Sequence, residues 1–158
     1  MVRLAFTAKF ILLAFLLGTL VGCGAGFNAM SGDDASRAGA IHLSINALHD
    51  DRLSRGVGDD TDWKSFEIFQ QSSVRVRIWW DSYEDVSATL GIYDSRATLL
   101  SQLSHDDERA MDTTEALVLE PGKYFLRVEL GGGESVYTLE VLTENSAGGS
   151  GASSRPGF

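Results

Sequence analysis

Only one of the 158 residues is cysteine, Cys23, so the chain has no intramolecular disulfide and its fold rests on an apolar core. Basic side chains are scarce too: 13 Lys and Arg stand against 22 Asp and Glu, a formal charge of −9. That balance lacks the clustered cations that phosphate backbones and anionic lipid headgroups need, which excludes nucleic acid as a partner. A sustained helical period is missing. Residues 46–53 and 106–111 fit a short helical turn, and neither has the length or stripe of a stable helix. Catalytic signatures are missing as well. There is no G-x-S-x-G, and His42, His49 and His105 show neither H-x-x-x-H nor H-E-x-x-H spacing. Surface or rim positions are expected for all three. Paired carboxylates can hydrolyse glycosides, but a small sandwich rarely encloses the cleft they need, so the expectation is a protein that is not an enzyme.

What is present begins at the N-terminus. Arg3 and Lys9 precede the uncharged run Phe10-Ile11-Leu12-Leu13-Ala14-Phe15-Leu16-Leu17, and Leu20-Val21-Gly22-Cys23 closes it. A cationic start, an apolar middle and a small residue before the cut make a secretory signal over residues 1–22. The uncharged stretch to Met30 has the length of a membrane span, but glycines at 18, 22, 24 and 26 dilute its second half. Leu20-Val21-Gly22-Cys23 resembles a bacterial lipobox. The resemblance implies that Cys23 is acylated, begins the mature chain and anchors it to a membrane. Glycine rather than aspartate at position 24 resembles the sorting pattern for the outer membrane. Loss of Arg3 and Lys9 leaves 11 basic and 22 acidic side chains, a formal charge near −11. Such a body is held at a membrane by lipid rather than by charge.

Small and polar residues over 23–39 predict a flexible tether after the acylated cysteine, and NSAGGSGASSRPGF within 144–158 predicts a disordered tail. Between them, over 40–143, the apolar period is two. Ile41, Leu43 and Ile45 alternate with polar neighbours, as do Phe66 and Ile68. Val74, Val76, Ile78 and Trp80 face one way, while Arg75, Arg77 and Trp79 face the other. Ala88-Leu90-Ile92, Leu117 with Leu119, Tyr124-Leu126-Val128-Leu130 and Tyr137-Leu139-Val141 follow, with turn residues at 56–60, 70–73, 94–95, 120–122 and 131–133. Residues 104–114 read as a polar loop. The expectation is all-β: one antiparallel β-sandwich of about seven or eight strands, with Phe66, Trp80, Tyr124 and Tyr137 supplying bulk.

Three segments resemble the bacterial pre-peptidase C-terminal domain, a calcium-tolerant β-sandwich appended to secreted proteases and envelope proteins. They are Asp60-Thr61-Asp62-Trp63 with Phe66-Glu67-Ile68; Leu90-Gly91-Ile92-Tyr93-Asp94; and Pro121 to Val128 followed by Tyr137 to Val141. The likeness covers residues 40–142 and implies a jelly-roll-like accessory domain. No peptidase accompanies it in this chain.

Two groups of residues are candidate sites. Asp59, Asp60 and Asp62, with Asp50 and Asp51 upstream and Asp81, Glu84 and Asp85 beyond, offer hard oxygen ligands to a structural Ca²⁺; turn geometry alone also explains such aspartates. Asp106-Asp107-Glu108 reads as a solvated loop. On the outward face of the Val74–Trp80 strand, Trp79 beside Arg75 and Arg77, with Tyr83 just beyond, offers a partner anchor or a sugar-stacking surface. Packing of Trp79 under the arginine stems is the bland alternative. Arg127 is expected to extend the same basic stripe. Together these readings describe a non-catalytic envelope lipoprotein, with candidate sites Arg75, Arg77, Trp79 and Tyr83 serving an envelope protein partner or, alternatively, a surface polysaccharide or peptidoglycan.

Overall fold

The computed structural model describes residues 32–144; the signal, Cys23, the tether up to residue 31 and the tail from residue 145 lie outside the described residues. Ten strands form: β1 (Ile41–His42), β2 (Leu48–Ser54), β3 (Thr61–Ile68), β4 (Ser72–Trp80), β5 (Ser87–Tyr93), β6 (Leu99–Ser104), β7 (Met111–Thr113), β8 (Leu117–Leu119), β9 (Gly122–Gly132) and β10 (Glu134–Glu144). They build two sheets. The first runs β1-β3-β9-β5-β6; the second runs β2-β10-β4-β7, with β8 also pairing β4. Every pairing is antiparallel except β1 with β3.

The period-two pattern sets which residues meet between the sheets. Phe66, Ile68, Leu90, Ile92, Leu126, Val128 and Leu130 come from the first sheet; Val74, Val76, Ile78, Trp80, Tyr137, Leu139 and Val141 come from the second. Phe66 stacks on Tyr124 with ring centroids 5.6 Å apart, and Trp80 packs on Tyr137 at 5.7 Å. Gly133 turns the β9–β10 hairpin at φ +82, and a Cβ there would lie 2.1 Å from the Asp85 carbonyl oxygen, so the corner excludes a side chain.

Four sequence expectations are corrected. Most of residues 46–53, which fit a short helical turn, instead fall in edge strand β2, because pairing with β10 from Leu48 to Ser54 satisfies their backbone. Residues 99–104 form a further edge strand with Leu99 and Leu100 exposed, and Met111–Thr113 form β7 inside the expected polar loop. Of Ile41, Leu43 and Ile45, only Leu43 is fully buried. The last part of the expected tether is not a free linker: Gly32–Ala35 and Arg37–Gly39 are 3-10 turns laid against β3, with Asp34 buried.

Candidate functional site

The outward row of β4 places Arg75, Arg77 and Trp79 on one surface of the second sheet. Cross-strand register puts Trp79 between Thr138 and Met111, and Arg77 between Glu140 and Thr113, with Leu48 beyond Glu140. Exposed Leu48, Met111, Val136 and Val118 surround this row on the same face. Charge at its centre is incompletely satisfied. Arg77 Nη1 lies 3.8 Å from Glu140 Oε2, too far for a hydrogen bond, and Arg75 Nε lies 3.9 Å from Glu144. Both Arg75 Nε and Glu140 Oε2 are buried with no hydrogen-bond partner. Tyr83 does not join them. It sits in the 3-10 turn Tyr83–Asp85, packs against the core and donates its hydroxyl to Glu84 at 3.1 Å.

Arg127 also lies elsewhere, on the outer surface of the first sheet, because β9 belongs to that sheet and pairs β3 and β5. There it forms a second aromatic surface. Trp63, Arg127, Gly91 and Gln102 are neighbours across four strands. Gly91 leaves room for the Tyr93 ring, which a Cβ would meet at 2.7 Å, and Tyr93 packs on Trp63 with centroids 5.3 Å apart. The Arg127 guanidinium lies 6.0 Å from the Trp63 ring centre and pairs with Glu129. Alternation marks Trp63, Tyr93 and Arg127 as outward; what single-strand reading missed is the pairing of β3, β9 and β5 that joins them.

Of the aspartates predicted as a calcium set, Asp51 and Asp62 come together, and Asp59 and Asp60 are not in their group. Asp60 accepts from the Thr61 hydroxyl at 3.1 Å, and the Asp59 backbone pairs with Ser54. Asp62 turns inward. Among the described residues, the carboxylates that converge are Asp34, Asp51 and Asp62, with oxygens within 4.8 Å of one another. The Lys64 ammonium stands among them: Nζ contacts Asp34 and Asp51 and lies 3.9 Å from Asp62. The place a metal ion would take is filled by the chain's own cation. Asp62 and Lys64 share the inner face of β3 with Phe66 and Ile68, so one strand carries a polar half and an apolar half. Burial pushes the Asp62 carboxyl up to about 7, against the hydrogen bond from Tyr137 and the attraction of Lys64. Burial also works against the Lys64 charge, but its bonds to Asp34 and Asp51 prevail and raise it.

His105 corrects the expectation of a surface position. Its side chain is 1% exposed, with Nδ1 2.5 Å from Asp112 and Nε2 donating to the Tyr83 carbonyl at 2.8 Å. Both ring nitrogens and the packing on Trp80, at 5.3 Å, are used to close the β6–β7 connection onto the core. Asp81, Glu84 and Asp85 do not complete the aspartate cluster, whose members are Asp34, Asp51 and Asp62.

No protein-family model and no curated protein matches the sequence. Solved structures do match. The pre-peptidase C-terminal domain of collagenase from Bacillus anthracis aligns at a TM-score of 0.55 and 18% identity, over 65% of this chain and 93% of that one. A periplasmic inhibitor of g-type lysozyme, PliG from Aeromonas hydrophila, aligns at 0.43 and 12% identity over 66% of this chain and 96% of its own. A carbohydrate-binding module of Cellvibrio mixtus lichenase 5A aligns at 0.40 and 11% identity over 73% and 94%. The last two scores are too low to establish a common fold. The described residues thus form a β-sandwich similar in fold to the pre-peptidase C-terminal domain.

Proposed function

We propose that the protein is a non-catalytic binding module, held at the cell envelope by lipid on Cys23, that docks an envelope protein through the Arg75–Arg77–Trp79 face. One observation carries this reading: Arg75 Nε and Glu140 Oε2 are buried on that face without hydrogen-bond partners, inside a ring of exposed apolar side chains. Unsatisfied buried polar atoms are costly, and a partner that supplies an acceptor to Arg75 and a donor to Glu140 would recover that cost. Trp79 and Met111 supply the apolar contact expected at the centre of an interface.

The test is crosslinking in cells of the full-length chain carrying a photoreactive residue at Met111, followed by mass spectrometry. One dominant envelope protein, lost on Trp79→Ala with the melting temperature retained, supports the reading. Crosslinks that persist unchanged in Trp79→Ala overturn it.

The Trp63–Tyr93 pair favours a second reading, a glycan-binding surface on the opposite side of the sandwich. Flat aromatic rings beside Arg127 and Gln102 suit the apolar face and hydroxyls of a sugar. Retention on envelope polysaccharide or peptidoglycan that falls on Trp63→Ala, and not on Trp79→Ala, would place ligand there.

A further inference from the structure

We propose that Lys64 and Asp34 condense to an amide between Lys64 Nζ and Asp34 Cγ, an intramolecular cross-link that fastens the N-terminal segment to β3, with Asp62 transferring the protons. This modification is independent of any docking partner.

The geometry supplies each component. Nζ already touches the Asp34 carboxylate, and the two side chains are 3% and 5% exposed. The Asp62 carboxyl stands 3.9 Å from Nζ, and its oxygen lies within 4.8 Å of those of Asp34 and Asp51. It therefore flanks both the attacking nitrogen and the leaving oxygen, outside hydrogen-bond distance at rest, and has to close on them as the bond forms. Tyr137, fully buried on the facing sheet, donates to Asp62 and fixes its orientation. Held in this way, amine and acid react as an intramolecular pair, for which a large rate advantage over free groups is general.

The step balances without a co-reactant. A proton first passes from the ammonium to the Asp34 carboxylate, giving a free amine and a carboxylic acid. The nitrogen lone pair then attacks Cγ, forming the C–N bond while the carbonyl π pair moves to oxygen. Asp62 in its acid form protonates the departing hydroxyl and takes back the surplus proton from nitrogen. The C–O bond breaks, the carbonyl reforms, and one water leaves. Burial raises the Asp62 carboxyl to about 7, so the acid form that this exchange requires is present beside the carboxylate near neutral pH.

Condensation also removes a buried ammonium and a buried carboxylate, both of which are expensive to keep out of water. Asp51, the other carboxylate on Nζ, is 37% exposed. It keeps its charge where water can solvate it, whereas the dry Asp34 side favours loss of water. A cross-link at Asp34 has a mechanical meaning. Asp34 lies 11 residues after Cys23, so force on a lipid-anchored N-terminus would enter the sandwich at Lys64 of β3 rather than peel Gly32–Gly39 away.

Tryptic digestion of the purified full-length chain decides the matter. The expected product is a branched peptide in which the fragment ending at Arg37 is joined to Gly56–Arg75, uncut after Lys64 and lighter than the two parts by one water. Lys64→Arg should abolish it. Asp62→Asn should abolish or greatly slow it with the melting transition retained, while Asp51→Asn should leave it in place. Complete cleavage after Lys64 with an unbranched peptide ending at Arg37 overturns the proposal, and a branch point at Asp51 overturns the assignment to Asp34.

Discussion

The Tyr137 hydroxyl donates to the Asp62 carboxyl, joining β10 of one sheet to β3 of the other inside the sandwich. The bond sits where the apolar core of Phe66 and Leu139 gives way to the Lys64 cluster, and it allows an acid to be buried there. Tyr137→Phe keeps the ring and removes the donor. Loss of a partner by a buried carboxyl costs about 1–3 kcal/mol. Chemical denaturation should show that loss; an unchanged midpoint would mean that Asp62 needs no bond from the facing sheet.

Asp62 makes stability depend on pH in an unusual direction for an aspartate. Its ordinary value is 3.8 and burial raises it to about 7, so the folded chain holds an extra proton between those values. The stability it contributes is complete below about pH 4 and is lost as pH rises towards 7, at no more than about 1.4 kcal/mol per pH unit. Lys64, Asp34, Asp51 and Tyr137 are the groups that face it. Half-buried Asp94 and exposed Glu134, lowered chiefly by hydrogen bonds from the Thr98 backbone and the Ser54 hydroxyl, act at lower pH and in the opposite sense. Urea titrations should therefore give wild type a higher midpoint at pH 5 than at pH 8, and Asp62→Asn a smaller difference. Equal midpoints for wild type would contradict the burial argument.

Trp79 and Trp80 are adjacent in sequence and face opposite surfaces of the second sheet. Trp80 is 2% exposed against Tyr137 and His105, while Trp79 lies outside next to Met111. Trp80→Ala should cost about 3–5 kcal/mol through the cavity it leaves. Trp79→Ala should cost less than about 1 kcal/mol, as surface substitutions do. Thermal melts of both variants check the register, and equal effects would refute it.

The same alternation explains how much of the molecule was legible. Val74 to Trp80, Tyr124 to Leu130 and Tyr137 to Val141 are central strands whose core-facing residues are apolar, so their period of two is clear in the sequence. Strand β2 was not, because its inward row of His49, Asp51 and Leu53 mixes polar with apolar residues at a sheet edge. Strand β6 was hidden by exposure of its leucines. The outward position of Trp79 followed from period alone. Asp62 was legible as an acid and illegible as a buried one, since its environment comes from Asp34, 28 positions earlier, and Tyr137, 75 positions later. Arg127 was assigned to the wrong surface because strand direction does not reveal sheet membership.

Anchoring can be separated from folding. Cys23 precedes the described residues, so Cys23→Ser should leave the melting transition of the sandwich unchanged while abolishing acylation. The lipoprotein signal should then stay uncut, and any chain freed of it by another route should leave the membrane pellet on fractionation. A Cys23→Ser protein that stays with membranes after signal cleavage would show that lipid is not the anchor.

Gly91 offers a test of the Trp63–Tyr93 surface that leaves both rings in the protein. A Cβ at position 91 would lie 2.7 Å from the Tyr93 ring and 3.0 Å from its hydroxyl, its three nearest atoms all belonging to that side chain, so the ring, the flexible party, must swing away. Gly91→Ala should therefore part Tyr93 from Trp63 with little change in the core, because Leu90 and Ile92 face inward on either side. The expected melting shift is correspondingly small, within about 1 kcal/mol. If the paired rings form a sugar platform, affinity electrophoresis in envelope polysaccharide should show retention falling as far in Gly91→Ala as in Tyr93→Ala. Retention that survives both substitutions would leave the pair as packing over the first sheet, and the Trp79 face as the surface to pursue.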